Sequence, residues 1–240
     1  MHVLTITATP NQAGVKISGD YFDLDELNMA IYRVIGEEGK YYDYQGARMR
    51  ILGMCYEIRH AAQGDRNIES VFNGLHEHTK VQHGFIAPAK NIYFSAEVLW
   101  PEVLFAVLAL KDFAVLYAKE QGHTDWDLNL PVIAKFQSLV LDCLQGHVPD
   151  EVFSTVREAF SGPSSVEEYA IQYIDMLNLQ IIDMEKADRE KILPAIAVKV
   201  ARQDKDYQAF RSEVLRAAGP GKQSIHEIRI GREYPENINW

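Results

Sequence analysis

The stretch WPEVLFAVLALKDFAVLYAKEQ, Trp100 to Gln121, decides how the rest of the chain is read. Pro101 suits a first helical turn, where its missing N–H costs nothing. From Val103 to Leu110 every residue is apolar. A helix without a polar face is a buried one. Lys111 and Asp112 interrupt the run, and Gly122 supplies a stop signal. The stretch is too short and too charged at its edges for a bilayer, which needs about 20 predominantly apolar residues. It reads as the central helix of a fold that covers it on several sides.

Upstream, strand signals dominate. His2 to Ala8 alternates through β-branched residues. Pro10 to Gly14 is a turn and Val15 to Ser18 a second strand, predicting a hairpin. A helix is expected to start at Asp23, with Glu26 completing a capping-box-like pair, and to close at Gly36. Tyr41, Tyr42 and Tyr44 form an aromatic loop, read as rings packed over a core edge, with a binding lip as the alternative. Arg48 to Ala62 is expected as a helix and Asn67 to Phe72 as a strand, followed by the turn signal Asn73-Gly74. Leu75 to Pro88 reads as an irregular polar loop, and Asn91 to Leu99 as the best strand in the chain.

Downstream of Trp100 strands become scarce. Helices are predicted over Leu128–Gln145, Pro149–Ser161, Ser164–Leu177 (or on to Met184), Ala187–Arg202 and Asp204–Ala218. In the third of these Val166, Tyr169, Ala170, Tyr173, Ile174 and Leu177 make an apolar stripe behind a Ser164 or Ser165 cap. Ile225 to Ile230 alternates and reads as an edge strand, and the rest of the tail to Trp240 reads as loose, with Trp240 as an anchor in the alternative. Strands first and helices later predict an α+β fold: a small N-terminal mixed sheet with helices, then an α-helical half sharing one core around Trp100–Gln121. The divisions expected are 1–99, 100–218 and a 219–240 tail.

The 240 residues carry a formal net charge of -10 at pH 7. Such a surface repels phosphates and anionic lipids, so neither nucleic acid nor membrane is an expected partner. The charge is uneven: -3 over 1–98, -10 over 99–185, +5 over 186–232 and -2 over the last eight residues. The acidic and basic blocks can pair within the fold or between subunits, or stay as solvated faces. Cys55 and Cys143 lack CxxC spacing and read as two buried thiols in a reducing compartment. MHVLTITATP lacks a positive n-region and a long apolar core, which predicts a cytoplasmic protein.

Two clusters carry possible chemistry. The first is Arg59-His60-Ala61-Ala62-Gln63-Gly64-Asp65-Arg66. Arg59 and Arg66 are candidate anion-binding guanidiniums, and His60 with Asp65 a candidate proton-transfer pair. The structural alternative is a helix end whose basic residues satisfy the last carbonyls. The second is His76-Glu77-His78 with His83; with His60, four of the eight histidines fall within 24 residues. Imidazoles beside a carboxylate suit zinc or another divalent metal. A polar loop, where spacing fixes no geometry, is the alternative, and no cofactor is the default expectation.

No phosphate-binding, dinucleotide-binding, nucleophile-elbow or kinase motif occurs. The leading expectation is therefore a non-enzymatic binding or protein-interaction module that self-associates as a homo-oligomer or meets another protein. The rival is a hydrolase or phosphoryl-type enzyme with an anion or metal site near residues 59–83.

The runs TPNQAGVKISGDYFDLDELNMAIYRVIG, RHAAQGDR and KNIYFSAEVLWPEVLFAVLAL resemble a family of uncharacterised bacterial proteins of unknown function, over most of the first 120 residues. The resemblance implies a bacterial, cytoplasmic protein and brings no activity with it.

Overall fold

A computed structural model describes residues 4–122, 125–162, 166–219, 225–228 and 232–240. The N-terminal half holds β1 (Thr5–Ala8), β2 (Gly14–Gly19), α1 (Tyr21–Ile35), α2 (Gln45–Ala62), β3 (Asn67–Phe72), α3 (Glu77–His83) and β4 (Lys90–Leu99). The remainder is helical: α4 (Trp100–Gln121), α5 (Asn129–Gln145), α6 (Asp150–Ser161), α7 (Gln172–Ile182), α8 (Lys186–Ala201) and α9 (Lys205–Ala218). The four strands form one sheet in the order β1-β2-β4-β3. All three pairings are antiparallel, so the sheet is not mixed as expected. The hairpin places β1 beside β2, and β4 returns into the middle.

Helix α4 is the centre of the packing. Every side chain from Val103 to Leu110 is buried, as are Trp100, Phe113 and Tyr117. Helices α1, α2, α5, α7 and α8 surround it, and the sheet packs at its start. Gly122 ends it in the left-handed region, φ 69°, with its N–H on the Ala118 carbonyl. The α4 run and its stop signal thus translate directly into structure, and the helical half closes on the same core as the sheet.

Several elements differ from expectation for identifiable reasons. Helix α1 begins at Tyr21, not Asp23. Asp20 is the N-cap, accepting from the Asp23 N–H at 3.0 Å while Asp23 Oδ2 accepts from the Asp20 N–H at 3.1 Å. Asp23 is the third residue of the helix and the second partner of the box. Leu75–Pro88 is not wholly irregular, because Glu77–His83 forms a short exposed helix with Gly84 as its left-handed cap. The helix expected over Ser164–Leu177 starts only at Gln172. Ser164 and Ser165 lie outside the described residues. Asp112 Oδ2 accepts from Val166 N–H at 2.7 Å, the Glu168 N–H meets Asp43 O at 2.7 Å, and Ala170 N–H meets the Tyr207 hydroxyl at 3.1 Å. These tertiary bonds satisfy the backbone in place of helical ones, and Glu168 sits at φ 46°. The apolar stripe is nonetheless buried as read.

The expected edge strand Ile225–Ile230 lies partly outside the described residues, and Ile225–Glu227 form a 3-10 turn. The described end of the tail is not loose but anchored at Trp240 and Asn239, the alternative that the sequence offered. Asn11 N–H donates to Trp240 O at 3.0 Å, and Asn11 Nδ2 donates to Asn239 Oδ1 at 2.6 Å. Buried Arg189 donates to Asn239 O at 2.5 Å and to Asn11 O at 3.1 Å. Among the described residues no helix is long and apolar enough to cross a membrane.

Candidate functional site

The first sequence cluster sits at the C-terminal end of α2. His60 Nδ1 lies 2.9 Å from Asp65 Oδ2, so the expected pair forms. The guanidiniums, however, have separate partners. Arg66 Nε donates to Glu57 Oε2 at 2.7 Å, and Arg59 lies over the Tyr56 ring at 5.6 Å. The Glu57 carboxylate holds Arg66 above its usual range of charge retention. What results is a set of local pairs around a helix end, not a pair of arginines turned on one anion.

The histidine cluster is less compact. His76 is the N-cap of α3 and stacks with His78 at 5.6 Å between ring centroids. His83 instead stacks with Phe85 at 5.7 Å. The helix thus keeps His76 and His78 together at its start and carries His83 to its other end. Among the described residues no group of three or more His, Cys, Asp or Glu side chains is placed to hold a metal ion.

The tyrosine loop packs down as expected: the rings of Tyr41 and Tyr44 lie 5.9 and 5.8 Å from Phe113, and only Tyr42 projects. Of the two thiols, Cys55 is buried and Cys143 only half-buried, which corrects the expectation of two buried ones. Burial pushes them up to about 12 and about 11, so neither is an activated nucleophile. The charge blocks meet partly within the chain, at Arg211–Glu168 (3.3 Å) and Arg232–Asp183 (2.5 Å).

The most organised polar cluster was not marked by any motif. A cavity of about 600 Å3 opens where α2, β4, α4, α7 and the tail meet. At its floor Arg50 of α2 grips Glu102 of α4, with Nε 2.9 Å from both carboxylate oxygens and Nη2 2.5 Å from Oε2. Arg50 Nη1 donates to Asp175 Oδ1 of α7 at 2.6 Å. The Tyr234 hydroxyl donates to the same Asp175 oxygen at 2.8 Å, and Asn178 Nδ2 bridges Glu102 (3.0 Å) and Tyr234 (2.8 Å). Burial opposes the Arg50 charge, but the Glu102 and Asp175 carboxylates outweigh it and keep the group firmly cationic. Burial of its hydroxyl end, with Asp175 beside it, pushes Tyr234 up to about 12 despite Arg50.

Two features of this cavity bear on what it can hold. Its lining includes the carboxylates of Glu57, Glu97, Glu102, Asp175 and Glu236 against, among the described residues, the one cation Arg50. Arg66 offsets Glu57, and Lys16 acts on Glu97, yet an acidic surplus remains. Burial raises the Glu97 carboxyl, with Lys16 and Asn67 opposing. Second, Asn178 is wholly buried against the network, and its Oδ1 has no hydrogen-bond partner among the described residues. The remaining wall is apolar, with Met49, Met54, Ile171, Ile238 and Trp240.

Against known families, the match runs over residues 4–240, from the first sheet strand to the tail that walls the cavity. The chain belongs to DUF6904, a domain of unknown function. The cavity and both sequence clusters therefore all fall inside the DUF6904 domain. No curated protein and no solved structure matches the chain.

Proposed function

We propose that this DUF6904 chain is a non-enzymatic binding module whose ligand is a small organic amine with an apolar body, held in the cavity over Arg50. The observation that carries the reading is the pairing of an acidic surplus with an apolar wall in a space of about 600 Å3. Ligand cavities typically measure about 300–1,000 Å3, with a mostly apolar lining and a few placed polar groups. The donors of Arg50 are already spent on Glu102 and Asp175, so the cavity offers acceptors more than donors. A protonated amine supplies the missing donors and charge, while its carbon skeleton covers Met54, Ile171 and Trp240. The Tyr234 phenol at the cavity is raised by burial, which disfavours its phenolate.

The test is a thermal-shift series with alkyl monoamines, diamines and arylalkylamines beside matched carboxylates and phosphate. An amine at 100 times its dissociation constant stabilises by about 2.7 kcal/mol. That shift is expected for amines, absent for carboxylates, and reduced in Glu97→Gln. Flat traces with every amine remove the reading.

The close His60–Asp65 contact at 2.9 Å supports a second reading, the hydrolase or phosphoryl-type enzyme. A stabilisation by phosphate that disappears in Arg59→Ala would favour it over the amine site.

A further inference from the structure

We infer that the outer edge of β3 is the surface through which two copies of this chain associate, by antiparallel pairing of β3 with itself. The inference stands apart from the cavity. Strand β3 is the last in the order β1-β2-β4-β3 and pairs only with β4 among the described residues. An open edge presents a row of backbone donors and acceptors, and native proteins commonly blunt it with charged side chains, Lys above all, with Pro or with a bulge; the one charge on β3, Glu69, is held by Lys16. Asn67–Phe72, NIESVF, contains neither Lys nor Pro, and its register with β4 runs unbroken through six residues. Ile68 and Phe72 are half-exposed on it, with Ile92 opposite Ser70 on β4. The β3–β4 connection adds exposed Val81, Phe85 and Ile86.

A second copy fits this edge better than an unrelated strand because the edge is complementary to itself. A two-fold axis at Ser70 sets Ile68 against Phe72 of the partner subunit, and Glu69 against Val71 of the partner subunit. Apolar side chains then meet on one face, and the strand's only charge meets no like charge, a placement that cross-strand energetics favour. Glu69 is moreover paired within its own chain with Lys16 Nζ at 2.6 Å. Lys16, which also acts on Glu97, partly compensates Glu69, so the edge carries little of the chain's net charge of -10. The pairing joins two four-stranded sheets into one of eight strands, covers both β3 edges and leaves the β1 strands outermost.

Light scattering coupled to gel filtration at micromolar concentration reads the mass. The wild-type chain is expected at twice the mass of one chain. Ser70→Lys puts two lysines face to face on the axis, so it is expected at the mass of one chain, with a native circular-dichroism spectrum and a melting temperature that no longer depends on protein concentration. Ile68→Lys should likewise dissociate the pair, while Ile68→Lys with Phe72→Glu should re-form it, because each new lysine then faces a glutamate of the other copy. A one-chain mass for the wild type overturns the inference. So does a natively folded Ser70→Lys protein that stays double. If Ser70→Lys fails to fold, the lysine–glutamate pair carries the test, and no recovery over Ile68→Lys overturns the register.

Discussion

Arg50 and Glu102 join α2 to the central helix α4 through three contacts of 2.5 to 2.9 Å, with both side chains largely buried. Removing one member of such a pair leaves an uncompensated charge out of water. Arg50→Ala strands both Glu102 and Asp175, so a loss of about 3–5 kcal/mol is expected in urea unfolding. Arg50→Met combined with Glu102→Gln removes the stranded charge on α4 and should recover part of that loss. Equal losses for the two variants would show that the pair contributes by shape alone.

Asp20 caps α1 and is itself bonded by Asp23. Asp20→Ala should cost about 1 kcal/mol, the typical value for a lost N-cap side chain. Asp23→Ala breaks the reciprocal half. Glu26→Ala should leave stability unchanged, since Glu26 takes no part in the box. Chemical denaturation of the three variants separates the two placements of the helix start.

Gly14 has no room for a methyl group. A Cβ there would come 2.0 Å from the Val98 carbonyl oxygen and 2.7 Å from Leu99 Cα, both backbone atoms of β4. Backbone cannot swing aside as a side chain can. Gly14→Ala should therefore destabilise by about 3 kcal/mol, the upper range for overpacking, and a melt unchanged from wild type would contradict the approach of β2 to β4.

Tyr41, Tyr173 and Tyr234 are each raised to about 12, first by burial. Their folded values exceed the unfolded value near 10. Between these limits the unfolded chain releases protons that the folded chain keeps, so stability is complete below pH 10 and falls as pH rises to 12. Unfolding followed by circular dichroism should track the rise in phenolate absorbance across that window. Tyr234→Phe, which keeps the ring but not the proton, should make the fall shallower.

Native protein should react slowly with a thiol reagent. Cys55 is wholly buried and Cys143 partly so, and both thiols are held in the protonated form. Two thiols should appear on unfolding, and a fast-reacting thiol in the folded protein would contradict the packing around α2 or α5.

The fold was legible where burial has a short period. Val103–Leu110 has no polar side, and β4 announces itself by alternation, so the core helix and its leading strand follow from local pattern. The irregular segment before α7 did not, because Asp43, Asp112 and Tyr207 satisfy its backbone from elsewhere in the chain. The clusters at residues 59–66 and 76–83 drew attention because their chemistry is concentrated in sequence. The Arg50 network was invisible for the opposite reason: Arg50 and Tyr234 lie 184 residues apart. One local sign was present. Asn178 interrupts the apolar run around Leu177 and Leu179, and a wholly buried amide needs partners.

The segment 234–240 supplies Tyr234, Glu236, Ile238 and Trp240 to the cavity wall. The floor of the hollow is built from helices that belong to the shared core, whereas one of its sides is a short strip without helix or strand. That strip is fastened at its far end, where Asn11 meets Asn239 and Trp240 and Arg189 meets Asn239. The shape of the hollow therefore depends on contacts made outside it, and a change at Asn11 or Arg189 reaches its wall without touching its floor.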